Sequence, residues 1–278
     1  MKKTDAFGIC AALFVLAFGL PLLPLPLPAG GLLFSSLYVC CIGLLPFVYA
    51  AARRIPWRTF FRAGNFSLRL LAGALLCMAG GAAFSAVAWT ASAAVFRESH
   101  AAHEAMLEGF FTGYPAPLVF FALTVLPAFC EEVFFRGFVL RSLRRFPDLP
   151  ARRFRDEAPA VVACALLFAL AHMDLSRFLP AFISGLVLSY TACLTNSLVL
   201  PAAMHFFYNA GVLFLSWFPL SPDDLAVSGL LMEFPREFLL AVAQAALPAA
   251  CAGGGLLYFC GLRLIRRGMA GRRHRTSA

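Results

Sequence analysis

Apolar residues run in long stretches along this chain, and charges fall between them in short clusters. Residues 6–52 carry no charged side chain, which is room for two membrane spans of about 20 residues each, divided near Pro28–Gly31. Further apolar runs follow at 70–96, 115–140, 158–175, 178–195, 197–218 and 237–262. The pattern predicts an all-α fold, a polytopic membrane bundle of about eight transmembrane helices. The fifth and sixth runs are short and meet at Asp174–Arg177. Residues 97–114 predict a short interfacial helix between the third and fourth. Lys2 and Lys3 ahead of Phe7–Leu20 could pass for a secretory signal, but the apolar run continues through Pro21–Pro28 without a small-x-small cleavage site. A retained first span is expected.

Composition fits that pattern. The chain is 61% hydrophobic and 13% charged, against about 25% charged in soluble domains, so an integral membrane protein is expected. The net charge of +9 raises nucleic acid as a partner, and the placement of the charges excludes it. With the N-terminus inside, Lys2, Lys3, Arg53, Arg54, Arg58, Arg62 and Arg69 fall on the inner side, as do Arg141, Arg144, Arg145, Arg152, Arg153 and Arg155. The tail adds Arg263, Arg266, Arg267, Arg272, Arg273 and Arg275, while the outer side holds only Arg97, Arg177 and Arg236. This asymmetry predicts N-in and C-in, in a bacterial cytoplasmic membrane. The nine cysteines lie mostly in apolar runs with no CxxC pair, as small hydrophobes do. Cys130 is a weak candidate thiol, with no electropositive neighbour closer than Arg136.

Charge inside an apolar run costs roughly 2.5–3.5 kcal/mol per group, and three places carry polar groups there. Glu131, Glu132 and Arg136 lie in the fourth run. Glu132 and Arg136 are one turn apart and can pair, whereas Glu131 points about 100° away and is free to face a cavity. Phe168 and His172 are one turn apart in the fifth run. His205 and Asn209 share a face in the seventh, suited either to hold a developing oxyanion or to clamp two helices. A glutamate and two histidines on three helices form a set that can polarise water.

At these residues the chain resembles the CPBP intramembrane proteases (CAAX protease and bacteriocin-processing, Rce1/Abi-like). Glu131-Glu-Val-Phe-Phe-Arg136 matches that family's EExxxR motif, Phe168-Ala-Leu-Ala-His172 its FxxxH, and His205-Phe-Phe-Tyr-Asn209 its HxxxN. The resemblance implies an intramembrane endopeptidase acting on a membrane-associated peptide or protein. Glu131 would be the catalytic glutamate, His172 its partner in activating water, and His205 with Asn209 the oxyanion hole. Glu132, Arg136 and Phe168 would support the site. Residues 115–218 would then be the catalytic core, 1–114 peripheral helices with an outer loop, and 219–278 a last helix with a basic tail. Glu131, His172 and His205 could offer zinc a His/His/carboxylate set. HExxH is absent, however, and metal-free glutamate chemistry with no cofactor is expected. On straight helices His172 would lie farther from the inner side than Glu131 or His205, so a tilted or broken fifth span is expected. Two rival readings are a non-catalytic immunity or scaffold protein, which has no need of Glu131, and an ion-coupled transporter. The transporter reading lacks an inverted repeat and a string of ionisable groups.

Overall fold

The structure is a computed structural model that describes residues 31–56, 66–151, 153–217 and 236–276, with Arg62, Gly64 and a few positions before residue 20. Its helices are α1 (Leu32–Ala52), α2 (Leu68–Val95), α3 (Arg97–Gly113), α4 (residues 116–143), α5 (Phe154–Ala171), α6 (Leu175–Thr195), α7 (Val199–Trp217) and α8 (Arg236–Thr276). Among the described residues, six helices are long and apolar enough to cross a membrane. The protein is a multi-pass helical membrane bundle. The expected first span and the Pro21–Pro28 segment lie outside the described residues. α5 is not among the six; its first turn carries Arg155, Asp156 and Glu157. Residues 97–113, read as interfacial, form the amphipathic helix α3.

Local chemistry sets the helix ends. Ser67 caps α2 by accepting from the Leu70 N–H, and Asp174 caps α6 by accepting from the Ser176 N–H, as short polar side chains do at an N-cap. Asn196 closes α6 in the left-handed region at φ 50°, a conformation asparagine tolerates. Buried Arg144 ties the end of α4 to the start of α5 through two hydrogen bonds to Glu157 at 2.9 and 3.0 Å, and donates to the Leu149 carbonyl at 2.7 Å.

α2 packs along α8 through glycines. A Cβ at Gly80 would sit on the Gly254 carbonyl oxygen and within 2.8 Å of Tyr258 N. Neither is a flexible side-chain end that could give way. Gly80→Leu is therefore expected to part α2 from α8 and to destabilise the fold by about 1–3 kcal/mol. A lowered thermal midpoint of the purified protein in detergent would register it.

α4 carries the acidic doublet and is not a regular helix. Its α-helical turns alternate with π-helical ones at Phe121–Val125 and Val133–Leu140. Pro127 stands just past the first of these and has no N–H to offer the preceding turn. π turns inside α-helices are frequent at functional sites. They also set the face of each side chain. Phe121, Val125 and Phe129 form an exposed stripe, whereas every residue from Glu132 to Leu140 is buried. α1 approaches the same helix at Gly43, where a Cβ would meet the Cys130 side chain at 2.8 Å. Cys130 therefore packs on α1.

Candidate active site

Glu132, Arg136 and His205 form a fully buried ionic core. Glu132 Oε1 accepts from Arg136 at 2.5 Å and from His205 Nδ1 at 2.9 Å, so α7 is tied to α4. The rest of the guanidinium reaches α6, at Ser189 Oγ and the Gly185 carbonyl, both at 3.4 Å. Its flat face lies 4.4 Å from the centroid of Phe168 on α5, where the ring's negative face favours a cation. Phe168 is thus the hub of the site. Its ring centroid is 4.9 Å from that of His172 and 5.8 Å from that of His205.

Glu131 is the other kind of carboxylate. Its Oε2 is buried and has no hydrogen-bond partner, and it lies 3.9 Å from His205 Nε2. That gap is too long for a direct hydrogen bond. His205 Nδ1 faces an oxygen that can only accept, so Nδ1 carries the proton and Nε2 presents a lone pair toward Glu131. Asn209, one turn further along α7, is half-buried and makes no hydrogen bond among the described residues.

His172 stands where α5 stops. The last four carbonyls of a helix lack intrahelical donors, and here each finds one. Phe168 O is 2.8 Å from His172 Nδ1. Ala169 O and Leu170 O take the backbone N–H groups of His172 and Met173 at 3.2 and 3.1 Å. Ala171 O takes the Tyr38 hydroxyl at 3.3 Å. A carbonyl only accepts, so His172 also carries its proton on Nδ1 and leaves Nε2 as a free acceptor. Met173 then turns the chain at φ 50°, and α6 begins. α5 therefore ends at Ala171, in a tight turn.

Residues 112–211 match the family model described as Type II CAAX prenyl endopeptidase Rce1-like. This segment is similar to an Rce1-like domain. No curated protein and no solved structure matches the chain.

The Rce1-like segment holds every residue of the three motifs, but it does not hold every group around them. Tyr38 comes from α1. Arg177, counted in the sequence as an outer-side charge, lies within the segment but outside its motifs, half-buried in the first turn of α6 and five residues past His172. Among the described residues it has no ion-pair partner. No spacing rule points to Tyr38, because it reaches the motifs across the fold. Among the described residues, no three His, Cys, Asp or Glu side chains stand so that they could hold a metal ion. Glu132 Oε1 and both Nδ1 atoms are already engaged within the protein. On its other side Arg136 lines a cavity of about 20 Å³, shared with Arg62, Arg141, Arg144 and Asn196.

The turn is held from outside the Rce1-like segment. Asp174 Oδ1 accepts from Ser99 Oγ at 2.8 Å, and Oδ2 lies 3.1 Å from His103 Nδ1. Burial pushes the Asp174 carboxyl up, but the contacts from His103, Ser176 and Ser99 and the His103 charge outweigh it and hold it well below the usual carboxylate range. A depressed native value stabilises the fold above the unfolded aspartate value of about 3.9. That stabilisation fades as pH falls through the native value. The stability gap between parent and Asp174→Asn should thus be constant near neutrality and shrink only in acid below about pH 4. Unfolding in detergent across that range measures it.

Proposed function

We propose that the chain is an intramembrane endopeptidase of the CAAX-protease type, in which Glu131 activates water for attack on a peptide bond. The observation that carries this reading is the contrast within the doublet. Each carboxylate has one buried oxygen without a partner. Glu132 is engaged through its other oxygen by Arg136 and His205, whereas Glu131 makes no hydrogen bond among the described residues and faces His205 Nε2 at 3.9 Å. A scaffold has no use for such a carboxylate.

The chemistry follows from the free atoms. One water molecule about 2.8 Å from both groups fits a 3.9 Å separation. Glu131 takes a proton from that water as its oxygen bonds to the carbonyl carbon. A water donates only two hydrogen bonds, so His172 Nε2, with its tautomer fixed by Phe168 O, takes the second one when His205 Nε2 is itself protonated and cannot accept. The Asn209 amide donates to the oxyanion. His205 joins it as a donor only when its ring carries both protons, since Nδ1–H is engaged by Glu132. The tetrahedral intermediate then breaks its C–N bond, and the proton held by Glu131 goes to the leaving amine.

No metal is needed for these steps. The substrate is a membrane-associated peptide or protein, and the Arg-rich helix ends face the bacterial cytoplasm. Comparing protein termini by mass spectrometry, in membranes from cells producing either the parent or Glu131→Gln, tests the reading. Termini that depend on Glu131 and cluster near membrane surfaces are expected. Identical sets at equal protein levels would sink it.

A further inference from the structure

The turn that carries His172 is short of its own support. Pro180 has no N–H, so the Ser176 carbonyl four residues earlier loses its helical donor. Ser92 Oγ of α2 stands 3.1 Å away as a replacement, its one proton shared with the Trp89 carbonyl of its own helix at 2.9 Å. Ser92 is in turn buried against His100 Nε2 of α3 at 2.9 Å. On the other side of the same helical turn, Asp174 takes the Ser176 N–H at 2.9 Å, the Ser176 hydroxyl at 2.5 Å and the Ser99 hydroxyl at 2.8 Å. Ser99 and His103 are one turn apart on α3, so one face of that helix delivers both groups to Asp174. Trp89 of α2 closes the cluster, with ring centroids 4.1 Å from His100 and 5.4 Å from His103. The stripe continues inward through Phe110, which packs with Leu32, Val119, Ala122 and Leu213. The opposite face of α3, with Ala101, Glu104, Ala105 and Glu108, is exposed.

This clamp sits two residues from His172, across a methionine in the left-handed region. A non-glycine residue held there is strained and persists only where its surroundings over-determine it. The helix-ending bonds of α5 fix the near side of the turn, and the clamp fixes the far side.

We propose that Asp174 is the positioning residue for His172, held by a clamp from α2 and α3 that completes the active site from outside the Rce1-like segment. The inference rests on the reading of His172 as the histidine that orients water. Asp174 touches no reacting atom; it fixes where the His172 ring stands.

The test uses the full chain in detergent and two independent readouts. The first is carbethoxylation of each histidine by diethyl pyrocarbonate, followed by mass spectrometry. In Asp174→Asn and Ser92→Ala, His172 should be modified several-fold faster than in the parent, with His205 unchanged. His103→Ala should do the same and His103→Asn, whose amide nitrogen falls near the position of Nδ1, should restore the parental rate. Glu104→Ala, on the exposed face of α3, serves as the control. The second readout is cleavage of a substrate found by the terminus comparison and made as a synthetic peptide. Misplacing a group by about 1 Å can cost on the order of 10²-fold. Asp174→Asn should therefore lower kcat by about 10–10²-fold with KM unchanged. Unaltered His172 reactivity in Asp174→Asn, or equal acceleration at all histidines, overturns the clamp. If carbethoxylation behaves as expected but Glu131→Gln cleaves like the parent, the clamp stands and the proteolytic reading falls.

Discussion

Glu131→Gln should lower the rate of peptide-bond hydrolysis by about 10²–10⁴-fold, the contribution of a positioned general base, or roughly 3–5 kcal/mol of barrier. Glutamine keeps the volume of the side chain and loses only its ability to take a proton. Because Glu131 Oε2 has no protein partner, no native hydrogen bond of that oxygen is broken. Thermal stability and membrane insertion should match the parent. KM should change little, since the missing interaction develops in the transition state. Asn209→Ala, expected to remove one oxyanion donor, should cost about 10²–10³-fold, again mostly in kcat. These rates need a purified, reconstituted enzyme and one substrate from the terminus comparison. If properly inserted Glu131→Gln and His172→Ala both cleaved at the parental rate, the assignment of the water-activating groups would be lost.

What could be read in the sequence was what lies within one helical turn. Glu132 and Arg136 pair because residues four apart share a face, and the structure places them together. Phe168 and His172 meet for the same reason, and the long apolar runs became helices close to their expected limits. The contacts that join helices left no trace in spacing. Tyr38 reaches Ala171 across 133 positions and Ser92 reaches Ser176 across 84, so nothing local marks them as neighbours. The role of His205 was also only half visible. Spacing puts His205 and Asn209 on one face from which both side chains can donate, but His205 Nδ1 is engaged by Glu132, and only the three-dimensional arrangement reveals the tautomer. The fifth apolar run forms one unbroken helix that stops short of residue 175. α5 ends at Ala171, and a three-residue turn, with Met173 in the left-handed region, leads into α6. That ending depends on capping groups drawn from α1, α2 and α3.

The Glu132–Arg136 pair should show a different energetic signature. Both side chains are fully buried, and removing one partner of a buried ion pair leaves an uncompensated charge that costs about 3–5 kcal/mol. Glu132→Leu and Arg136→Met should each destabilise the protein by that amount in mixed-micelle unfolding. The double variant has no buried charge left at the pair, and replacing both ions by apolar groups of similar volume is often neutral. One debt remains, because His205 Nδ1–H loses its acceptor, and an unsatisfied buried donor costs about 1–3 kcal/mol. The double variant should therefore sit about 1–3 kcal/mol below the parent rather than at the sum of the singles. Activity should not recover with stability. Without the Glu132 carboxylate, nothing fixes the proton on His205 Nδ1 or holds Nε2 toward Glu131, and the guanidinium face that packs Phe168 beside His172 is gone. A double variant as unstable as the two singles combined would mean that the pair does not act as one ionic unit. A double variant that regained parental cleavage would show that the doublet's second glutamate positions nothing the reaction needs.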